Sequence, residues 1–241
     1  MDNQFQVKLI VKRVKISAPV QWLQQAWHIF KQTPVIWLLM FSTLIITALL
    51  GTTHTLLNIA ALFISPFFTA GIYKSIVAIQ HQETIKYTDM FIPLQQPSCR
   101  MVFIRLAAMN MLAAVPLSLL AQSIYTQQEA GINDPWLILL FVASSIIVWM
   151  VFAYAVAIAY FLHEQRLLVI MQTSFVACWR NITALVVFAL LSFGLIFLTV
   201  PTLFIGLIVV IPVLNIAFFL SFNDFFALQI NTKNDDAVLV V

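Results

Sequence analysis

The chain alternates long apolar runs with short polar connections. A helix needs roughly 20 apolar residues to cross the hydrocarbon core of a bilayer. Six runs qualify, at about residues 35–51, 56–79, 101–122, 136–162, 182–200 and 203–225. The fifth shows the energetics. It holds 13 Leu, Ile, Val or Phe residues, which at about −0.3 to −0.6 kcal/mol each supply roughly −4 to −8 kcal/mol toward insertion. The first run is the shortest of the six, and only residues 51–55 separate it from the second. A re-entrant hairpin is therefore the alternative to two full crossings there.

A second pattern precedes each pair of runs. Over 17–33, Val20, Leu23, Trp27 and Phe30 recur at helical spacing, with Gln21, Gln24, Gln25, His28 and Lys31 filling the rest. Ser17 is placed to cap this helix and Pro19 suits its first turn. Trp22 falls between the two faces, and the helix is expected in the headgroup region. A comparable lead-in covers 165–180, with Leu168, Met171, Phe175, Cys178 and Trp179 as its apolar side. The middle lead-in, 84–100, is interrupted by Pro93 and Pro97, leaving one helical turn over 88–92. The expected fold class is all-α: a polytopic membrane protein of six transmembrane helices with interfacial amphipathic lead-ins and a threefold hairpin repeat. Its parts are a basic N-terminal segment (1–16), a membrane domain (17–228) and a C-terminal tail (229–241).

Composition agrees. Of 241 residues 62% are hydrophobic and 9% charged, against about 45–50% and about 25% in soluble domains. A water-soluble core of this size could not hide that much apolar surface. The net charge of +3 has a topological cause. With six crossings, the N-terminus, 80–100, 163–181 and the C-terminus share one side with the adjoining span ends. That side carries all 12 Lys and Arg residues. The opposite loops carry none and hold Glu129 and Asp134. By the positive-inside rule both termini are cytoplasmic. No cleavable leader is read, since the first run lacks a small-residue cleavage site. Cys99 and Cys178 fall near the cytoplasm, and no disulfide is expected.

Ionisable groups deep in a membrane usually mark function. None lies near a midplane here. Lys74, Arg105 and Asp224 sit inside apolar runs close to the cytoplasmic ends, where long side chains snorkel outward. Asp224 is shorter and is expected to pair with Lys74 or Arg105. Asn110, Asn215, Ser144 and Ser145 are the deep polar groups. Hydrogen bonding across helices is their expected role, and a substrate contact the alternative. Pro66, Pro116 and Pro212 each free a backbone carbonyl inside a run, which suits packing kinks or a transporter's broken helices. Ala153, Ala155, Ala157 and Ala159 predict close helix packing. The His and Cys residues show no ligand spacing, the five glycines form no phosphate loop, and no catalytic motif appears. Asn181-Ile182-Thr183 matches a glycosylation acceptor by chance on this topology. The run 7–16 alternates apolar and basic residues and is read as resting on anionic lipid.

WLQQAWHIF over 22–30, MQTSFVACWRN over 171–181, and Ile211-Pro212-Val213 ahead of Asn223-Asp224 together resemble uncharacterised proteobacterial six-span inner-membrane proteins. The chain is more distantly similar to the membrane domain of bacterial glycerophosphodiesterases. The resemblance implies a bacterial inner membrane and brings no catalytic residue. The functional expectation is a non-enzymatic scaffold or accessory protein of an envelope process, and a small-molecule transporter or channel is the alternative. The partners expected are the lipid bilayer and another membrane protein or a second copy of the chain. No nucleic acid, metal or cofactor is expected.

Overall fold

The computed structural model describes residues 7–230 and 238–240, and side chains over 11–226. Lys233 and the rest of 231–237, which enter the charge count above, lie outside the described residues.

Among the described residues six helical stretches are long and apolar enough to cross a membrane. After strand β1 (Val7–Val11) comes the lead-in helix α1 (Ala18–Gln32), then α2 (Pro34–Thr53) and α3 (Thr55–Gln80). A 3-10 turn at Tyr87–Phe91 and the short α4 (Ile92–Gln95) precede α5 (Pro97–Glu129). The fourth span is made of α6 (Pro135–Phe152) and α7 (Ala155–Phe161). Lead-in α8 (Leu167–Arg180) precedes α9 (Ile182–Phe197) and α10 (Leu207–Phe225), and strands β2 (Phe226–Ile230) and β3 (Val238–Val240) follow. A lead-in helix thus precedes each pair of spans. Of the first pair, α2 has 20 residues, about 30 Å at 1.5 Å per residue, enough to traverse the hydrocarbon layer. Pro66, Pro116 and Pro212 lie inside α3, α5 and α10.

The membrane domain is all-α, as expected. The terminal segments add a small antiparallel sheet of order β1-β2-β3. Val7 faces Ile230 and Val11 faces Phe226, while Ala227 faces Val240. The apolar-basic alternation over 7–16 therefore begins in a paired strand, which is what a period of two encodes.

The chain divides into two compact units. The first comprises Met1–Thr43, Ile72–Asp89 and Val176–Val241. Within it α1 packs along α10 and, less extensively, α9. The face it buries is Ala18, Trp22, Ala26, Ile29 and Phe30. This corrects the expected face, of which only Phe30 belongs to the buried set. Val20 and Trp27 remain 45% exposed. The reason is steric: small Ala18 and Ala26 let a neighbouring helix approach closely around Trp22, so apolarity alone does not choose the face. Ser17 makes no side-chain capping bond. At the other end of α1 the Trp37 indole donates to the Ile29 carbonyl at 3.3 Å, one of the terminal carbonyls that a helix cannot satisfy itself. The sixth span starts at Leu207, not at 203, because Leu203 (φ 50°) and Phe204 (φ 64°) form a left-handed turn.

The second unit comprises Leu44–Gly71 and Met90–Phe175. Here the fourth span is interrupted at 153–154. The buried Ser174 hydroxyl accepts the Tyr154 N–H at 3.0 Å and donates to the Met150 carbonyl at 2.9 Å. These groups are an i→i−4 pair, so the hydroxyl is inserted into the helical ladder and breaks it. Beyond the break Ala155, Ala157 and Ala159 are buried and α7 packs on α5, which places the predicted small-residue contact inside the chain. Gly71 is needed for close approach, since a Cβ there would fall on the Met90 carbonyl group.

Candidate functional site

Within the first unit, the start of α1, the start of α9 and the end of α10 meet the segment that follows β1. Asn181, between α8 and α9, is 1% exposed. Its Oδ1 accepts the Val14 N–H at 2.9 Å, and its Nδ2 donates to the carbonyls of Lys12 at 2.9 Å and Ala177 at 3.1 Å. The Lys12 N–H donates to the Phe225 carbonyl at 2.8 Å. One side chain thus acts as a piece of strand for residues 12–14. The atom a glycan would occupy is spent on structure, so Asn181-Ile182-Thr183 is no acceptor.

Beside this clasp, the fully buried Trp22 sets its ring edge-on to Phe188 (6.1 Å) and Phe225 (5.6 Å). Such contacts favour the ring quadrupole. Its indole N–H donates to Asp224 Oδ2 at 2.6 Å. Burial of so large a ring is tolerable because its one polar group is satisfied by a carboxylate. Asp224 therefore has an indole as partner, and within its unit it forms no ion pair with Lys74, one of the two expected cations; Arg105 belongs to the second unit. Among the described residues the one ion pair is Glu164–Arg166, at 2.9 Å. Next to Asp224, Asn223 donates to Gln80 Oε1 at 3.3 Å.

A cavity of about 430 Å³ opens over this junction, lined by Lys12, Arg13, Lys15, Gln21, Asn223 and Asp224 among others. Of Lys74, Arg105, Asp224, Asn110 and Asn215, Asp224 alone lines it. Lys74 is half-buried on α3, and Arg105 and Asn110 are exposed on α5. Asn215 is exposed and donates to the Ile211 carbonyl of its own helix at 2.9 Å. Ser144 and Ser145 likewise donate to carbonyls of their own helix. The expected cross-helix bonds are replaced by i−3 and i−4 back-bonding. Of the residues the transporter reading leaned on, Asn110 and Asn215 are exposed on their own helices, while Pro66, Pro116 and Pro212 lie inside α3, α5 and α10.

Reactive types are accounted for in the same way. Among the described residues Cys99 and Cys178 are buried and form no disulfide, and burial pushes the Cys178 thiol up to about 12. Outside the spans, hydrogen bonds from the Arg166 guanidinium hold Glu164 down at about 2. No family model, curated protein or solved structure matches the chain. Its function has to be argued from the molecule itself.

Proposed function

We propose that this is a multi-pass protein of a bacterial inner membrane, with both termini in the cytoplasm, serving as a non-enzymatic scaffold or accessory protein of an envelope process. The observation that carries the reading is how its polar groups are spent. Asn181 is used on the backbone of residues 12–14 and on Ala177, the Asp224 carboxylate on an indole, and Ser174 on a helix break. These are the groups a catalyst would have kept free and poised. What they build instead is a fixed terminal clasp carrying cations, on a body whose apolar side chains are widely exposed.

The membrane placement is supported by that exposure. Leu139, Ile147, Phe193 and Leu190 are each more than half exposed, which lipid tolerates and water does not. A common side for the two termini is supported by the pairing of β1 with β2. The cytoplasmic assignment rests on the one-sided basic residues. The role is tested by crosslinking the tagged full chain in intact cells and capturing it from detergent. Repeated recovery of the same membrane or envelope proteins is expected. Capture with no reproducible partner would sink the reading. For topology, a thiol reagent confined to the outside should label Gln128→Cys and leave Gln82→Cys untouched.

A further inference from the structure

The cation-lined cavity and an apolar groove flank neighbouring faces of the same helix. Within the first unit, Val20, Leu23 and Trp27 of α1 and Leu191, Leu195 and Leu198 along and just beyond α9 border a groove of about 590 Å³. The first turn of α1, through Ala18 and Gln21, borders the cavity that holds Lys12, Arg13 and Lys15. We propose that the pair forms a site for one anionic glycerophospholipid, its phosphodiester held by these three cations and an acyl chain laid along the groove.

Four features support this occupant. The cavity stands where α9 begins and α10 ends, so it lies at the level where hydrocarbon gives way to headgroups. This rests on the membrane placement proposed above. Among the described residues its cations are not balanced: three line the cavity with a single carboxylate, Asp224, and none of the three is in an ion pair. Their backbone is fixed beforehand by the hydrogen bonds of Lys12 and Val14 to Asn181 and Phe225, which lowers the ordering cost of binding. Asp224, held by the Trp22 indole, is an acceptor that suits headgroup hydroxyls and disfavours a bare phosphate. A glycerol headgroup meets both demands, with an anion for the cations and hydroxyls for the carboxylate. The groove supplies what a soluble anion would not use.

The test uses the purified full chain in detergent, titrated with phosphatidylglycerol or phosphatidylcholine and read as lipid adducts by native mass spectrometry. Phosphatidylglycerol should be retained at least tenfold better. Each cation should contribute about fivefold, so Lys15→Gln alone weakens phosphatidylglycerol by that factor. The triple variant Lys12→Gln, Arg13→Gln, Lys15→Gln should bring it down to the phosphatidylcholine level. These changes spare the backbone atoms that Asn181 holds, and the Lys15→Gln result stands even if the triple variant does not fold. Lys86→Gln, in an exposed loop, should change nothing. Gly194→Leu, which fills open space in the groove, should weaken both lipids about equally. Equal retention of the two lipids by the wild type would overturn the proposal. So would an equal loss in Lys86→Gln, or displacement of phosphatidylglycerol by millimolar inorganic phosphate. The accessory role is read by partner capture and survives either result here.

Discussion

Helices α10 and α6 are both apolar and span-length, yet they live differently. Of the most apolar stretch of α10, 44% is buried inside the protein, against 6% for the span that contains α6. The α6 span is the more hydropathic of the two. In α10 the residues Val213, Ile216, Ala217, Leu220 and Phe225 are packed, and α1 lies along it. In α6 Met150 is the buried residue, while Trp136, Leu139, Leu140 and Ile146 stand open. Hydrophobicity predicts insertion and says nothing about packing, because lipid tails are as apolar as leucine. What draws α1 onto α10 is small residues and one satisfied indole.

Substitutions that separate packed from lipid-facing surface break or sharpen this comparison. The largest effect is expected at Trp22. Trp22→Ala removes a ring wedged between Phe188 and Phe225. In lipid the water-transfer part of the cost is absent, but a cavity term of about 24 cal/mol per Å³ persists, giving about 3 kcal/mol. Leu139→Ala on α6 should change stability by less than about 0.5 kcal/mol. Steric-trap or detergent-melting measurements compare the two, and equal losses would refute the distinction. Asn181→Ala comes next, at about 2 kcal/mol, because it orphans the Val14 N–H and the Lys12 carbonyl. Limited trypsin cleavage at Lys12–Lys15 should become faster in that variant.

Ser174→Ala is smaller, at about 1 kcal/mol. Removing the hydroxyl lets the Tyr154 N–H rejoin the Met150 carbonyl, so part of the loss is recovered. Amide exchange at Tyr154 should slow if the ladder closes. The smallest effect concerns pH. Glu164 is held at about 2 against an ordinary 4.5, a depressed carboxylate. Its contribution is present above about 4.5 and is lost as pH falls toward 2. The melting difference between wild type and Glu164→Gln should shrink across that window. The Arg166 partner is exposed, so the difference is slight even at neutral pH.

Much of the scaffold was legible. Long apolar runs and proline positions placed six spans, three lead-ins and the weak middle turn, because length and transfer energy act locally. The face of α1 was misread, since a one-dimensional pattern ranks side chains by apolarity while the contact was made by Ala18 and Ala26 around Trp22. The apolar-basic alternation over 7–16 reads as a segment resting on lipid, and its first residues form a strand instead, because the partner strand that pairs with it lies more than two hundred residues away. Asn181 looked like a chance motif. Its role depends on backbone atoms of residues 12–14, which no local signal announces. Asp224 stood out as a polar group at a span end, and its indole partner was missed because an indole N–H carries no charge to match by eye.

The sequence by itself determined the solvent of this protein. Six stretches of side chains gain free energy in hydrocarbon wherever they are placed. Only the tertiary structure decided which faces touch, because in lipid that choice is governed by fit and by satisfied hydrogen bonds. Helix α1 against α10, the Trp22 indole on Asp224 and Asn181 across residues 12–14 are long-range matches of shape and donor to acceptor. They have no counterpart in hydropathy.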